Sequence, residues 1–207
     1  MKNLLMFDYD GVIVNSLVIF RKNLIRACRI NGFNQISEEV FLSLFNGNMY
    51  DGMLGLGIPK EKIPDILNNL KSGLLKAQDS LFLFTGISNM LKNLSRESEV
   101  IIITSNVTEV VQKFLESKKI RCYKSIIGGE KETSKVRKIE AIKIEFPNHR
   151  YFYVGDTRGD IIEGKNAEVS TIAVTWGGHD ESLLKSEHPD YIIRSPKELV
   201  ELFKNLK

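Results

Sequence analysis

Six short apolar runs recur along the chain, NLLMF, EVIIITSN, CYKSIIGG, RYFYVGDT, VSTIAVTW and PDYIIRS, and most end in polar residues or glycine. Consecutive apolar positions mean that a strand built from such a run is buried on both faces, which is the mark of a parallel sheet covered by helices. TEVVQKFLESKK, SKVRKIEAIKIEF and SPKELVELFKNL lie between or after these runs, with apolar residues three or four apart, and read as crossover helices. This alternation predicts an α/β fold with a doubly wound parallel sheet. One region departs from it. From Ser16 to Ser80 the periodic segments VIFRKNLIRACRI, EEVFLSLF and KIPDILNNLKSGLLKA are all helical, with loops marked by Asn31, Gly32, Gly55 and Gly57. The expected organisation is a core of residues 1–15 and 81–207 with a helical insertion, 16–80, after the first strand. The 207 residues, 43% of them hydrophobic, suffice for such a core and one small accessory unit. No internal repeat or low-complexity tract interrupts it.

Charge narrows the function classes. Twenty-nine basic and 26 acidic residues nearly balance, and the basic ones are spread over helical segments rather than gathered in a block, so a nucleic-acid partner is not expected. No apolar run approaches the roughly 20 residues needed to span a bilayer, and the start MKNLLMFDYD lacks the long apolar stretch of a signal peptide. The expectation is a cytoplasmic, monomeric protein with no membrane partner. Cys28 and Cys122 lie far apart without metal-binding spacing and read as buried thiols in a reducing compartment. His149, His179 and His188 are isolated in loop-like segments and read as surface or capping residues. Trp176 is expected to pack under a loop, and Arg158, between Asp156 and Asp160, to form a surface ion pair.

Ligands of an open parallel sheet gather at the carboxyl ends of its strands, so the residues that close each apolar run belong together. Asp8, Asp10 and Gly11 follow the first run; Thr104, Ser105 and Asn106 follow EVIII; Gly155, Asp156, Thr157 and Asp160 follow RYFYV. Any one group has an ordinary reading as a turn or helix cap, and D-x-D-G occurs in a chain this long roughly one time in twenty at average residue frequencies. Their convergence at three strand ends is not expected by chance. Clustered acids repel unless a hard divalent cation with oxygen ligands offsets the repulsion, and Mg²⁺ is the natural candidate. A carboxylate beside such an ion is placed to attack a phosphate ester, while a second one protonates the leaving oxygen and later takes a proton from water. Gly11 and Gly155 would let backbone N–H groups approach the phosphate.

FDYDGVIVNS, IIITSN, TSKVRKI and YVGDTRGDI, in that order, resemble the motif set of the haloacid dehalogenase superfamily, over nearly the whole chain. The insertion after the first motif is similar to the helical cap of its phosphoglycolate phosphatase and beta-phosphoglucomutase branch, as are VTWGGHDESLL and DYIIRSPKEL near the end. The resemblance implies a Rossmann-like core and a phosphatase acting on a small phosphorylated metabolite. It further implies Asp8 as the nucleophile that becomes an aspartyl phosphate, Asp10 as acid/base, and Thr104 and Lys135 as phosphate ligands, with Gly11, Ser105 and Asn106 also facing substrate. Mg²⁺ would be held by Asp8, the Asp10 carbonyl and Asp156, supported by Asp160. Asn15 and Val136 depart from the branch, which usually has aspartate and proline there. Asp10 separates phosphoryl transfer from dehalogenation but leaves open a phosphomutase, and a non-catalytic phosphate-binding regulatory module is the alternative from another class.

Three lysines share the TSKVRKIEAIKIEF helix. Its start lies near the catalytic edge of the sheet, so Lys138 and Lys143 begin roughly 4.5 and 12 Å further away than Lys135 at about 1.5 Å rise per residue. Val136, Ile139 and Ile142 mark the buried stripe, and Lys138 is expected along a solvated flank.

Overall fold

A computed structural model describes residues 1–206. β1 (Lys2–Phe7) opens the chain and is followed by a tight loop and the two-residue β2 (Val14–Asn15). Four helices come next, α1 (Leu17–Ile30), α2 (Glu38–Phe41), α3 (Met49–Gly55) and α4 (Ile63–Lys76), before β3 (Phe82–Leu83) returns antiparallel to β2. The remainder alternates: α5 (Ile87–Leu94), β4 (Ser98–Ile103), α6 (Thr108–Ser117), β5 (Ser125–Ile127), α7 (Lys135–Glu145), β6 (His149–Gly155), α8 (Arg158–Asn166), β7 (Ser170–Val174), α9 (Glu181–Ser186), β8 (Tyr191–Ile193) and α10 (Pro196–Asn205).

The six apolar runs are the six strands of one parallel sheet, ordered β5-β4-β1-β6-β7-β8. Numbered among themselves these strands read 3-2-1-4-5-6, the Rossmann-like order, whose direction of winding reverses between β1 and β6. Phe7 stands level with Ile102 of β4 and Val154 of β6, so the three carboxyl ends emerge side by side. Consecutive burial in β1 has a simple cause. Leu5 and Phe7 face a cluster with Met90 of α5, Phe114 of α6 and Phe203 of α10, whereas Leu4 and Met6 face Ile139 and Ile142 of α7 on the other side.

Helices α1–α4 bury their own apolar cluster, including Phe20, Leu24, Met53, Ile66 and Leu70, which reaches the sheet domain at Val107 and Val110. The β2/β3 ribbon joins the two ends of this insertion, and two-residue strands leave no periodic trace in a sequence. Periodicity does not mark α3, α5, α8 or α9 either, and Gly55, expected to mark a loop, is the last residue of the short α3. α5 and α9 are short, and α8 turns the acids Asp160 and Glu163 inward, which breaks any apolar stripe. Cys28 is buried and Cys122 half-buried, both as free thiols. Among the described residues no helix is long and apolar enough to cross a membrane.

Candidate active site

The loop after β1 is shaped by its backbone. Ile13 and Val14 donate to the Tyr9 carbonyl (3.0 and 3.1 Å) and Gly11 donates to the Val14 carbonyl (2.9 Å), curling the loop tightly. Gly11 has φ +79°, and a Cβ there would sit 2.0 Å from Oδ2 of Asp156. A side chain at that position would displace the acid across the cleft.

Asp8 leaves the strand with its Oδ1 accepting from the Tyr9 N–H (2.7 Å) and its Oδ2 from Lys135 Nζ (2.8 Å). Asp10 accepts from the Ser16 hydroxyl (2.6 Å) and from Asn106 Nδ2 (2.9 Å). Burial, with the nearby Asp8 charge as a smaller contribution, outweighs these hydrogen bonds and moves the Asp10 carboxyl up to about 7. Asp8 is also raised by burial, against the opposing pull of Lys135.

Asp156 follows β6 and receives the Gly178 N–H on Oδ2 (2.6 Å), while its buried Oδ1 has no hydrogen-bond partner among the described residues. Burial and then the charges of Asp160 and Asp8 hold it well above the usual carboxylate range. An orphaned oxygen in a nest of acids is costly unless a cation meets it. Asp8, Asp156 and Asp160 each bring an oxygen within 4.8 Å of the others, which fits a small oxygen-seeking ion such as Mg²⁺.

Asp160 is spoken for by protein donors. Its Oδ1 accepts from Lys135 Nζ (2.5 Å) and Tyr153 Oη (2.9 Å), and its Oδ2 from the N–H groups of Asp156 and Thr157 and from the Thr157 hydroxyl. With Thr157 it forms the capping box of α8. The ordinary reading of Asp160 as a first-turn residue and its place in the acidic cluster are therefore both true. Lys135, at the start of α7, bridges Asp8 and Asp160, and their charges override burial to keep its ammonium protonated.

Thr104 is buried at the end of β4, its Oγ1 accepting from the Asn106 N–H (3.0 Å), and Ser105 lines the cavity beside it. Asn106 does not line the cavity. Its amide is committed to Asp10 on one side and to the Val107 N–H on the other. Lys138 corrects the sequence expectation: it is 2% exposed, not solvated, and its Nζ donates to the Thr104 carbonyl at 2.7 Å. A three-residue step returns to the same helix face as Lys135, and that face lies on β4, so the stem is buried and the ammonium finds the free carbonyl at the strand tip. Burial and then the Lys135 charge lower it to about 8. Lys143 donates to the Ala167 carbonyl, away from the acids, and Val136 is only half-buried.

Arg158 turns outward to pair with Glu187 rather than with either neighbouring aspartate. His179 is a buried capping residue: its Nδ1 accepts from the Arg158 N–H (2.9 Å), which leaves Nε2 as donor to the Leu42 carbonyl (3.3 Å) in the helical insertion. Trp176 donates from Nε1 to the Val12 carbonyl (3.1 Å), under the loop after β1. Three residues without a motif also join insertion to core. Tyr50 Oη donates to the Ser105 carbonyl (2.7 Å), and Asn48 Nδ2 to Glu163 (2.8 Å) and the Thr133 carbonyl (3.0 Å); Glu163 in turn accepts the Lys135 N–H (3.1 Å).

Residues 5–174 match the haloacid dehalogenase-like hydrolase family. The chain belongs to that family. It is 24% identical over 201 residues to a phosphoglycolate phosphatase of Synechococcus elongatus, covering 95% of both chains. To the pyrophosphatase PpaX of Oceanobacillus iheyensis it is 25% identical over 205 residues, covering 95% of this chain and 94% of the other. The fold is similar to the crystal structure of a predicted phosphatase from Clostridium acetobutylicum, with a TM-score of 0.83, 19% identity and 99% of both chains covered. The family match spans the acids after β1 and those after β6, whereas the resemblance continues to the last helix.

Proposed function

We propose that the protein is a Mg²⁺-dependent phosphatase that hydrolyses a small phosphate monoester through an aspartyl phosphate on Asp8. The observation that carries this reading is the pairing, in one buried cleft, of Asp8 against the Lys135 ammonium with the unpartnered Oδ1 of Asp156. The names of the relatives, a phosphoglycolate phosphatase and a pyrophosphatase, support phosphoryl hydrolysis. A bound Mg²⁺, held by Asp8, the Asp10 carbonyl and Asp156 and backed by Asp160, would neutralise phosphoryl oxygens and hold the ester in line.

An Asp8 carboxylate oxygen attacks phosphorus as the bond to the leaving oxygen breaks. Asp10, poised near neutrality by its burial, delivers its proton to that oxygen. In the second half it takes a proton from water, whose oxygen attacks the phosphorus and frees Asp8 and inorganic phosphate. Lys135, Thr104 and Ser105, with the backbone at Gly11, bind the transferring group, and Asn106 acts on substrate through its grip on Asp10. Residues 16–80 serve as a cap that closes over the core formed by 1–15 and 81–207, keeping bulk water from the site.

Hydrolysis of phenyl phosphate is expected to vanish in excess chelator and return with Mg²⁺. Asp8→Asn is expected to abolish both turnover and acid-stable incorporation of labelled phosphate. Undiminished turnover in chelator would remove the metal from the reading, and label retained by the Asp8→Asn protein would remove Asp8 as nucleophile.

A further inference from the structure

The cavity above Asp8 has two unlike walls. The core wall is polar, with Asp8, Asp10, Thr104, Lys135 and Asp156, whereas the wall from the insertion is Leu17, Phe20, Phe41, Leu42 and Phe45, with Ser16 its one polar residue and that hydroxyl already given to Asp10. The three phenylalanines hold one another in tilted and edge-on contacts, with ring centroids 5.2 to 6.4 Å apart. Among the described residues no Lys, Arg, His, Asn or Gln of the insertion lines this cavity. Its one cation, Lys135, already bridges Asp8 and Asp160. Arg21, next to Phe20, turns to Glu38 instead (3.3 Å).

A substrate with a second anionic group beyond the phosphoryl would have to bury that charge against aromatic and aliphatic carbon. Without a partner such burial is strongly unfavourable, whereas an apolar leaving group gains by leaving water and by packing on the rings. We infer that this phosphatase takes monoesters of an uncharged, apolar alcohol or phenol, and discriminates against esters that carry a carboxylate or second phosphate. The inference rests on the phosphatase reading. It sets this chain apart from the relatives named for phosphoglycolate and pyrophosphate, both of which are substrates with a second anionic group.

Phenyl phosphate and 4-carboxyphenyl phosphate test it, because the added carboxylate makes the phenol a slightly better leaving group and so biases intrinsic reactivity against the expected result. With Mg²⁺ present, kcat/KM for phenyl phosphate is expected to exceed that for the carboxylated ester, phosphoglycolate and pyrophosphate by about tenfold or more, a modest part of what an unpaired buried charge costs. Leu42 is on the cavity rim and 36% exposed, so Leu42→Lys is tolerable there and is expected to narrow the ratio between the two aryl esters severalfold, with Leu42→Met as the neutral comparison. Equal or faster turnover of the carboxylated ester by the unaltered enzyme overturns the inference and leaves the phosphatase reading intact. An unchanged ratio in a folded Leu42→Lys protein overturns the insertion wall as the discriminator. Failure of the folded, Mg²⁺-loaded protein to hydrolyse any of these esters overturns the phosphatase reading, and this inference falls with it.

Discussion

Asp10 illustrates how much a single carboxyl depends on its neighbours. Ser16 and Asn106 favour its charged form, yet burial dominates and leaves it at about 7. Ser16→Ala removes the stronger of those hydrogen bonds, so the limb of the kcat/KM profile that reports Asp10 is expected to move to higher pH. Asp10→Asn is expected to slow discharge of the phosphoenzyme by about 10²-fold or more, the scale of lost general acid/base help, and rapid-quench trapping of labelled protein would show it accumulating. The two buried lysines divide differently. Lys135→Met removes the charge proposed to bind the phosphoryl group and is expected to cost at least about 10²-fold in kcat, as for other preorganised charges. Lys138→Met leaves the Thr104 carbonyl without its donor, so the expected effect is a loss of about 1–3 kcal/mol in denaturant unfolding with a smaller kinetic defect. A kcat loss at Lys138 as large as at Lys135 would place Lys138 on the substrate instead.

At the scale of elements, the helices at this edge cap one another. The α8 acid Glu163 accepts the first N–H of α7, and the same carboxylate receives Asn48 from the insertion. Tyr50 on α3 reaches the carbonyl of Ser105 just beyond β4. These contacts of the insertion end on the segments that carry Lys135 and Thr104, and under the proposed function they would couple closure of the insertion to the placement of both. Tyr50→Phe removes one hydrogen bond of about 0.5–1.5 kcal/mol and is expected to lower kcat/KM by roughly 2- to 10-fold, whereas Asn48→Ala removes three, those to Glu163 and the Thr133 carbonyl and the one it accepts from the Tyr50 N–H, and is expected to lower it further. Asn48 also caps α3, so some global destabilisation is expected of Asn48→Ala, and amide exchange over residues 133–138 that is faster than in Tyr50→Phe would locate the further loss at the α7 entrance. Exchange unchanged there would sever the proposed coupling.

The whole molecule gathers its acids at the point where the sheet reverses its winding, and this has a cost for the metal-free protein. Asp8, Asp10 and Asp156 all have raised pKa values, so their native forms hold protons more tightly than the unfolded chain does. Their contribution to stability is complete below the unfolded carboxyl value near 4 and is lost as pH rises, for Asp10 through about 7. Asp160 has the opposite sign, since Lys135 lowers it against burial, and its contribution fades only in acid below that window. A cation that binds the ionised acids restores what the proton supplied. The rise in Tm on adding Mg²⁺ is therefore expected to be larger at pH 8 than at pH 5, read by differential scanning fluorimetry in chelator and in Mg²⁺. An equal rise at both would mean that the ion meets other groups.

The sequence by itself determined the sheet, because six two-faced apolar runs can be buried only in parallel strands covered by helices, and the residues that end those runs must then emerge at one edge. For the same reason it brought Asp8, Asp10, Thr104 and Asp156 to that edge, whereas Lys135 was marked by the family resemblance and by its place at a helix start. Only the tertiary structure decided what each polar group faces. Lys138 looked solvated because charge was the visible property, while its depth depends on which helix face lies on β4. Asn106 became a partner of Asp10, His179 a cap for α8, and Tyr50 and Asn48 struts from the insertion, since their hydrogen bonds span as many as 137 residues of chain and no local period records them. The apolar wall over the acids belongs to this second class too. Phe20, Phe41 and Phe45 have the spacing of ordinary core residues, and only the packing of α1 and α2 with the turn at Leu42–Asn46 turns them toward the cleft.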